Sequence, residues 1–576
     1  MRSIALMLLA LPAAAQQQIQ LNQSGFYPLA PKIAVVTGKV SAKEFFVLTR
    51  NGKDTVLSGV LGPQQHSAHS STLTRIADFS ALAKKGEYVL HVPGAGTSYP
   101  FQVSADALKP VGIGSLKGFY YQRSDLPLEE KYAGKWRRAA GHPDNTVLIH
   151  ASAADSKRPA GTVIASPGGW YDAGDYNKYI VNSGITMSSL LSAYEDFPEY
   201  FATLRTNIPE SADAIPDILN EAMYNLRWML TMQDPNDGGV YHKCTNVAFD
   251  GMVMPGVTKL PRYVVQKSTA AALDFAAVTA QAARIMGPFS KPLADSCLKA
   301  AQMAWQWAEK HPAVLYDQPA MNKQYQPAIS TGTYGDNDVR DEWSWAAAEM
   351  FATTRDEKYY AVFRRSLQDS VYLPAWRNVA MQGYYTILRT SAGLPGAVQP
   401  DINIIKERVL RMAGEYIRKQ PQSAFRTVMG QSRRDFSWGG SSVAANQGIL
   451  LVYAYRLTKD KTYLDAALSN MDYLLGRNAT GYSFLTGFGS RHTMHPHHRP
   501  SIADGVAEPI PGLLSGGPNP GMQDSCHYEH TEPETAYSDT ACSYASNEIA
   551  INWNAPLAYL ANALEALKKE AAYVEK

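Results

Sequence analysis

The spacing of apolar residues changes once along the chain, near Pro110. Before it, over residues 18–104, apolar residues occur in short alternating runs separated by Gly, Pro and Asn turns. Runs of this kind, at 32–36, 44–48, 55–59, 88–92 and 99–103, are typical of strands in a small β-sandwich of the immunoglobulin-like kind. This region holds no acidic pair or aromatic platform, so we predict a structural or interdomain-packing module rather than a carbohydrate-binding one.

Beyond Pro110 the apolar residues repeat with the period of an α-helix. The predicted helices cover residues 112–122, 184–194, 214–232, 268–286, 292–310, 341–353, 357–370, 402–418, 442–457, 461–475 and 548–568. Short turns such as 354–356 alternate with long loops rich in Gly, Pro and aromatic residues. A mainly α domain over residues 110–572, built as a closed ring of helical hairpins, would produce this alternation. An open solenoid is the alternative, but it would not bring together chemistry from both ends of the domain.

Length and charge narrow the classes of partner. The 576 residues exceed one compact domain, which agrees with the change of pattern. Lys and Arg total 54 and Asp and Glu total 52, and the net charge of +2 argues against nucleic acid and suits a neutral substrate. The 33 Tyr and 10 Trp residues are either core or stacking platforms for sugar rings, and composition does not separate these roles. We expect a monomer.

The N-terminus and the cysteines indicate an exported protein. Residues 1–15 combine a basic start, a short apolar run and small residues, the pattern of a cleaved signal peptide. No other run approaches the length of a membrane helix, so we expect a secreted or periplasmic protein without a membrane span. Cys526 and Cys542 flank a loop-like segment, and whether they form a disulfide or remain unpaired is left open by the sequence. Cys244 and Cys297 are predicted to be buried thiols.

The first candidate site is Asp172 and Asp175, within a stretch of glycines and aromatics over residues 168–179. If a helix begins here, side chains at positions i and i+3 share a face, so the two carboxylates could hold one water molecule. The positive end of the helix dipole would keep them ionised, as a base requires. The alternative is an ordinary helix cap followed by a solvated aspartate.

The second candidate site lies in a long segment, residues 476–533, that has almost no helical periodicity. His497 and Arg499 stand between two prolines and could donate to hydroxyl groups or to a carboxylate. Metal binding by the histidines of this segment is the competing hypothesis. Asp539 follows, and then Glu548, which opens the last apolar helix. A lone Glu there is also explained as a first-turn residue favoured by the helix dipole.

Three motifs together resemble the signatures of glycoside hydrolase family 9. They are Asp172-Ala-Gly-Asp175, the run 483–499 that ends in Pro-His-His-Arg, and Tyr537-Ser-Asp539 followed by Asn547-Glu548, in the family's order over residues 119–567. The resemblance implies an (α/α)6 barrel behind an immunoglobulin-like domain, and hydrolysis of β-1,4-glucosidic bonds with inversion.

The resemblance also implies roles for single residues. Asp175 would be the catalytic base, Asp172 its partner in holding the water, and Glu548 the general acid. His497 and Arg499 would bind the sugar, and Asp539 would support the acid or the substrate.

An inverting glycosidase needs one protonated and one ionised carboxyl, roughly 6.5–9.5 Å apart. The apolar neighbours of Glu548 are expected to raise its pKa towards that of a working acid. For the aromatic residues, stacking on sugar faces and core packing remain open alternatives. The aromatic candidates for sugar binding are Trp170, Tyr171, Trp438 and Tyr544.

No cofactor is expected for the chemistry. Some members of the family bind zinc through cysteines after a Tyr-Gln-Arg segment, but Ser124 follows that segment here. Others bind calcium through a loop similar to residues 334–342, and this resemblance makes a structural calcium site a candidate. Its ligands would be Asn337, Asp338, Asp341 and Glu342, although a capping loop explains the same residues.

The hypothesis that follows is an inverting endo-β-1,4-glucanase that acts on cellulose or mixed-linkage β-glucan. One alternative is an exo-acting enzyme of the same family, such as a β-glucosidase, cellobiohydrolase or exo-glucosaminidase. Another is a non-catalytic carbohydrate-binding protein, against which the presence of all three acidic residues counts.

Overall fold

The structure is a computed structural model that describes residues 18–575. The predicted signal peptide, residues 1–15, lies outside the described residues. The N-terminal strands are β1 (Ile19–Gln20), β2 (Ile33–Thr37), β3 (Glu44–Thr49), β4 (Thr55–Val60), β5 (Gln65–His66), β6 (Leu73–Asp78), β7 (Gly86–Val92), β8 (Gly96–Thr97) and β9 (Phe101–Val103). They form two sheets, β1-β2-β6-β5 and β4-β3-β7-β8, with β9 paired to β7. Their inward side chains form a separate core, so the predicted sandwich is confirmed.

Buried polar contacts fasten this sandwich to the helical domain. The Asn22 amide donates to Asp472 at 2.8 Å, and the Tyr27 hydroxyl donates to Glu565 at 2.7 Å. These contacts are the kind expected of a packing module.

Twelve helices of at least ten residues lie within residues 18–575. They are α1 (Lys109–Gln122), α2 (Ile180–Asp196), α3 (Asp217–Thr231), α4 (Thr269–Met286), α5 (Lys291–Lys310), α6 (Arg340–Thr354), α7 (Glu357–Ser366), α8 (Ala380–Thr390), α9 (Gln399–Lys419), α10 (Gly440–Thr458), α11 (Lys461–Leu474) and α12 (Ile551–Leu567). Shorter helices span Glu130–Ala133, Pro198–Thr203, Gln318–Gln324, Arg499–Ala503 and Tyr544–Asn547.

The periodicity missed only α8 among the long helices. Helix α8 has only 11 residues and contains Gly383, which weakens the helical signal of so short a segment. A Cβ at Gly383 would lie 3.1 Å from the Cβ of Ala348 in α6, which shows how closely these two helices approach.

The helices form an (α/α)6 barrel. The even-numbered helices make the inner ring and the odd-numbered helices pack outside them. Stacking of Tyr385 on Tyr453, with ring centroids 4.0 Å apart, joins α8 to α10. Helix α12 packs against both α10 and α2 and so closes the ring. The inner helices are buried almost throughout, whereas outer helices such as α5 and α9 expose a polar face.

An ion network closes the end of the barrel where the short turns lie. Asp196 at the end of α2 is buried and is paired with Arg389 of α8 and Arg456 of α10. Tyr559 of α12 donates to it at 2.6 Å. Next to it, Arg284 of α4 joins Glu195 of α2 to Glu349 of α6. All six inner helices therefore contribute to one network.

A small sheet that the sequence did not predict lies at the opposite end. Its strands are β10 (Val147–Ile149), β11 (Val163–Ile164), β12 (Lys178–Tyr179), β13 (Lys243–Thr245) and β14 (Tyr263–Val264). Each has only two or three residues, too few for a recognisable alternation. Because β12 runs directly into α2, this sheet positions the segment that holds the first candidate site.

Three further findings concern expectations from the sequence. Cys526 and Cys542 are joined in a disulfide, and Cys244 and Cys297 are buried thiols. Within residues 18–575, no helix is both long enough and apolar enough to cross a membrane.

Replacement of Asp196 is expected to destabilise the barrel. Burial alone would raise its pKa, but Arg389, Arg456 and the Tyr559 hydroxyl lower it to about 2. A lowered pKa stabilises the fold above the unfolded-state value, and this stabilisation is lost as the pH falls towards about 2. Asp196→Asn should therefore lower the free energy of unfolding at pH 7 by about 3 kcal/mol or more, measured by urea unfolding.

The matched control is Asp295→Asn, which breaks an exposed pair with Lys291 and should change stability by less than about 0.5 kcal/mol. Equal effects of the two replacements would contradict the role of the network. The deficit of Asp196→Asn should also shrink when the pH is lowered towards 2.

Candidate active site

Three long connections of the barrel meet at one end. The connection before α2 carries Asp172 and Asp175, the connection before α6 carries Tyr334, and the connection before α12 carries His497 and Glu548. They meet because α12 and α2 are neighbours in the inner ring.

Backbone hydrogen bonds join the first of these segments to the last. The Ile551 amide donates to the carbonyl of Asp172 at 2.9 Å, and the Arg499 amide donates to the carbonyl of Gly174 at 3.1 Å. The His497 amide donates to the carbonyl of Asn547 at 3.0 Å. The structure therefore brings together the two candidate sites that the sequence placed at opposite ends of the domain.

The predicted helix start at Asp172 is wrong. Helix α2 begins at Ile180, and residues 172–177 form a loop that is closed by the Asp172 amide and the Asn177 carbonyl at 3.1 Å. A Cβ at Gly174 would lie 2.1 Å from the carbonyl oxygen of His497, so only glycine permits this contact. Contacts with other loops, rather than a helix dipole, set the environment of the two aspartates.

Asp172 is buried, and both of its oxygens accept hydrogen bonds. Asn182 donates to Oδ1, and the Tyr334 hydroxyl donates to Oδ2 at 2.6 Å. Burial and then the charge of Asp175 raise the pKa of Asp172 to about 8, although these two hydrogen bonds oppose the shift. This is the reverse of what the helix dipole would do. A carboxyl that keeps its proton near neutral pH is better suited to hold a water molecule than to remove a proton from that water.

Asp175 keeps one oxygen open. Its Oδ2 accepts from the side-chain amide of Asn177 at 2.5 Å and from the Tyr179 hydroxyl at 3.3 Å. Oδ1 accepts no hydrogen bond from any residue between 18 and 575, and a water molecule can occupy that position. This arrangement suits the catalytic base.

Glu548 lies in a short extended segment. It follows the helix Tyr544–Asn547 and precedes the start of α12 by three residues, so the first-turn explanation is wrong. Its side chain is partly exposed. Burial, and then the charges of Asp175 and Asp172, raise its pKa well above the usual value, against an opposing effect of Arg499. A carboxyl that holds its proton beside two aspartates suits a general acid.

His497 and Arg499 tie the two sites together. The carbonyl of Ala541 can only accept, so Nδ1 of His497 donates to it at 2.7 Å, and Nε2 carries no proton on a neutral ring. Burial and the nearby Arg499 lower the pKa of His497. Arg499 is itself buried and donates from Nη1 to the carbonyl of Gly174 and from Nε to that of Asp250, each at 2.8 Å.

The metal-binding alternative for the histidines fails. His498 contacts Gln122 and Ser501, whereas His497 turns towards Ala541. In the described part of the chain, no three His, Cys, Asp or Glu side chains form a group that could hold a metal ion.

The same finding counts against the predicted calcium site at Asn337, Asp338, Asp341 and Glu342. Asp338 forms an exposed ion pair with Arg340, whereas Asp341 accepts from the Val379 amide at 2.7 Å. Glu342 is buried in α6. A helix-start loop accounts for Asp338 and Asp341. It does not account for Glu342, whose pKa is raised by burial and by the charges of Asp341 and Asp274, so the calcium site stays a prediction.

Asp539 acts on the backbone around the acid. Its carboxylate accepts from the Met494 and His495 amides at 3.0 and 2.8 Å, and from the Asn547 side chain at 3.2 Å. It therefore supports the segments that carry His497 and Glu548.

Two of the four aromatic predictions are wrong. Trp170 is fully buried and donates to Glu221 at 2.8 Å, and Tyr171 is buried with its hydroxyl 2.7 Å from His142 Nδ1. Both belong to the core. Trp438, by contrast, is 43% exposed, and its ring lies 5.4 Å from that of Tyr544, which lies 5.7 Å from His497.

Sequence reasoning missed Tyr334 and Trp376. Tyr334 donates to Asp172, and the half-buried ring of Trp376 lies 5.3 Å from that of Tyr334. The only signal was the position of Tyr334 at the start of the loop considered for calcium. Two aromatic rings thus lie next to members of the site, Trp376 beside Tyr334 and Trp438 beside Tyr544.

A partly exposed carboxyl whose pKa is raised by two nearby aspartates, on an (α/α)6 barrel, is the arrangement expected of a glycoside hydrolase. The family model of glycosyl hydrolase family 9 matches residues 112–561, and that of the cellulase N-terminal Ig-like domain matches residues 14–97. The chain belongs to glycoside hydrolase family 9.

Among curated relatives, the chain is 47% identical to a xyloglucan-specific endo-β-1,4-glucanase of Bacteroides ovatus, over 95% of this chain and 94% of the relative. It is 33% identical to endoglucanase D of Acetivibrio thermocellus, over 94% and 82%. Among solved structures, a Bacteroides ovatus family 9 protein matches with a TM-score of 0.91 and 45% identity, over 96% of this chain and 99% of that one.

Tyr334→Phe should lower kcat and leave KM within about twofold. The variant loses a hydrogen bond that orients Asp172 and opposes the rise of its pKa. Loss of one such bond, about 1.4 kcal/mol, corresponds to a fall of about tenfold in kcat. Steady-state kinetics on a soluble β-glucan would measure this. Tyr325→Phe, at an exposed tyrosine in the same connection, is the control and should behave as the wild type. A change in KM alone would contradict the role of Tyr334.

Proposed function

We propose that this chain is an endo-β-1,4-glucanase with xyloglucan as its preferred substrate. Glu548 donates its proton to the glycosidic oxygen, and the bond from that oxygen to the anomeric carbon breaks. A water molecule held between Asp172 and Asp175 attacks the anomeric carbon from the opposite face, and Asp175 takes the released proton. The new hydroxyl has the inverted configuration. Exchange of protons with solvent restores both carboxyls, and no cofactor takes part.

The observation that carries this proposal is the meeting of Glu548 with the 172–175 loop. The carbonyl of Asp172 accepts from Ile551, three residues beyond the acid, and the charges of Asp172 and Asp175 act on the Glu548 carboxyl. A binding protein without turnover does not need a carboxyl with a raised pKa next to two further acidic residues.

Two aromatic rings near the acids support binding of a sugar chain. Trp376 lies beside Tyr334, and Trp438 lies beside Tyr544. Each ring can stack on the face of one sugar of a bound chain. The two relatives described above both carry endo-acting names.

The preference for xyloglucan rests first on the Bacteroides ovatus relative, which matches over nearly its full length. It also rests on an apolar surface beside the site. Phe249 and Met252 are exposed, and the ring of Phe249 lies 5.6 Å from the Arg499 guanidinium. Apolar faces of sugar branches can pack on such a surface. This substrate replaces cellulose and mixed-linkage glucan, which the sequence favoured.

The proposal places the enzyme outside the cytoplasm. The signal-like segment at residues 1–15 and the disulfide between Cys526 and Cys542 both favour an oxidising compartment. An extracellular or periplasmic location also suits a polymeric substrate.

The roles of Glu548 and Asp175 can be distinguished with two substrates, one whose leaving group needs a proton and one whose leaving group does not. Glu548→Gln should lower kcat on a glucan by about 10²–10⁴-fold but retain more activity on an aryl glycoside with a good leaving group, which needs no proton. Asp175→Asn should lose activity on both substrates, because each needs an activated water. Kinetics with both substrates would measure this difference. Glu407→Gln, at an exposed position of α9, is the control. Equal losses for Glu548→Gln on the two substrates would exclude it as the acid.

Substrate preference has its own test. We expect kcat/KM on xyloglucan to exceed that on carboxymethyl cellulose and on mixed-linkage glucan by about tenfold or more. The viscosity of the xyloglucan solution should fall before many reducing ends appear. Release of a single small product from the outset would show an exo-acting enzyme. Equal rates on all three polymers would overturn the substrate assignment but not the endo-glucanase assignment.

A further inference from the structure

A buried lysine lies behind the catalytic base and, among residues 18–575, contacts no carboxylate. Lys243 is in β13, which pairs with β12 so that Lys243 lies opposite Tyr179. Its Nζ donates to Gln318 Oε1 and to the Gly332 carbonyl at 2.6 Å each, and to Thr331 Oγ1 at 3.0 Å. All three acceptors are neutral.

The contrast with Lys178 in the neighbouring strand is informative. Lys178 is also fully buried, but it forms an ion pair with Asp144 at 2.7 Å. Lys243 forms no ion pair within residues 18–575, and the carboxylate whose charge acts on it is that of Asp175. Burial lowers the pKa of Lys243 to about 7, against the opposing effect of Asp175. A buried lysine without a paired carboxylate lowers the stability of the fold. Its presence here therefore suggests a role in function.

A chain of hydrogen bonds connects Lys243 to Asp175. Thr331 Oγ1, which accepts from Lys243, lies 2.6 Å from Thr245 Oγ1. Thr245 Oγ1 donates to Asn177 Oδ1 at 3.0 Å, an interaction that it shares with the carbonyl of Asn246 at 2.8 Å. Asn177 Nδ2 donates to Asp175 Oδ2 at 2.5 Å. The chain consists of four buried residues, Lys243, Thr331, Thr245 and Asn177.

The direction of the chain follows from its two ends. An ammonium group can only donate, so Thr331 accepts from Lys243 and its own hydroxyl proton is available to be donated to Thr245. The Asn246 amide also can only donate, at 2.9 Å to Asn177 Oδ1, which leaves Nδ2 of Asn177 facing Asp175. The protons at both ends of the chain therefore point towards the base, and linked hydrogen bonds strengthen one another.

We propose that Lys243 is a positioning residue for the base, acting through Thr331, Thr245 and Asn177 to hold Oδ2 of Asp175 so that Oδ1 faces the attacking water. This inference rests on the proposed function. It also links the two aspartates, because Thr331 and Gly332 belong to the connection that presents Tyr334 to Asp172.

The decisive variant is Thr245→Val, which removes one hydroxyl from the middle of the chain and keeps the shape of the side chain. We expect kcat to fall by about tenfold or more, the effect of a weakened general base, with KM within about twofold. The loss should be as large on an aryl glycoside with a good leaving group as on a glucan, because both need the base. Thr245→Ser retains the hydroxyl and should restore most of kcat.

Two comparisons separate positioning from general destabilisation. Thr279→Val removes another buried hydroxyl, which donates to the Phe275 carbonyl within α4, and should leave kcat unchanged. Thr331→Val should lower kcat as Thr245→Val does, and the double variant should lose little more, because both break one chain. Lys243→Met should lose at least as much as either. If it fails to fold, the threonine variants decide.

The possible outcomes are distinguishable. A wild-type chain that cleaves no β-1,4-glucan would overturn the proposed function. A wild-type chain that cleaves glucan while Thr245→Val retains full kcat would overturn this inference alone. So would a loss confined to KM, a loss that disappears with a good leaving group, a loss not restored by Thr245→Ser, or additive losses in the double variant. The thermal unfolding midpoint of each variant would show whether the fold is intact.

Discussion

The hydrogen bond from the Ile551 amide to the Asp172 carbonyl marks the constraint on which the active site depends, the closure of the helical ring. The base and its partner lie before the first inner helix, α2, and the acid lies before the last, α12. These groups meet only because α12 packs against α2. The network around Asp196 fastens the same ring at its other end, where Tyr559 of α12 contacts the last residue of α2. The rigid ring allows the loops at the active end to be irregular.

Closure also creates an electrostatic problem. Burial and mutual repulsion raise the pKa of Asp172 and Glu548, which gives the site a proton to donate. Fully neutralising the site with a contacting cation would remove that effect. Nearby cations are mostly paired elsewhere: Lys178 and Arg262 share Asp144, each at 2.7 Å. Lys243 is not paired in this way: its acceptors among residues 18–575 are neutral, and a chain of neutral side chains connects it to the base.

Several features were readable from the sequence because they depend on local order. The helical period located every long helix except α8, and alternation located most of the N-terminal strands. The three motifs identified Asp172, Asp175 and Glu548 as one set from their residue types and their order along the chain. His497, Arg499 and Asp539 likewise lie at the site, where Asp539 supports backbone.

Other features depend on what packs against a residue, which its neighbours in the chain do not reveal. Trp170 and Tyr171 adjoin the catalytic motif, yet the core covers both. Tyr334 and Lys243 come from separate connections, and only the fold brings them to the two aspartates. By itself the sequence determined which residues are the candidates for the chemistry and the order in which they occur. The tertiary structure alone decided which side chains face the cleft, which hold protons and which support the base, because burial and charge proximity arise from contacts between distant segments.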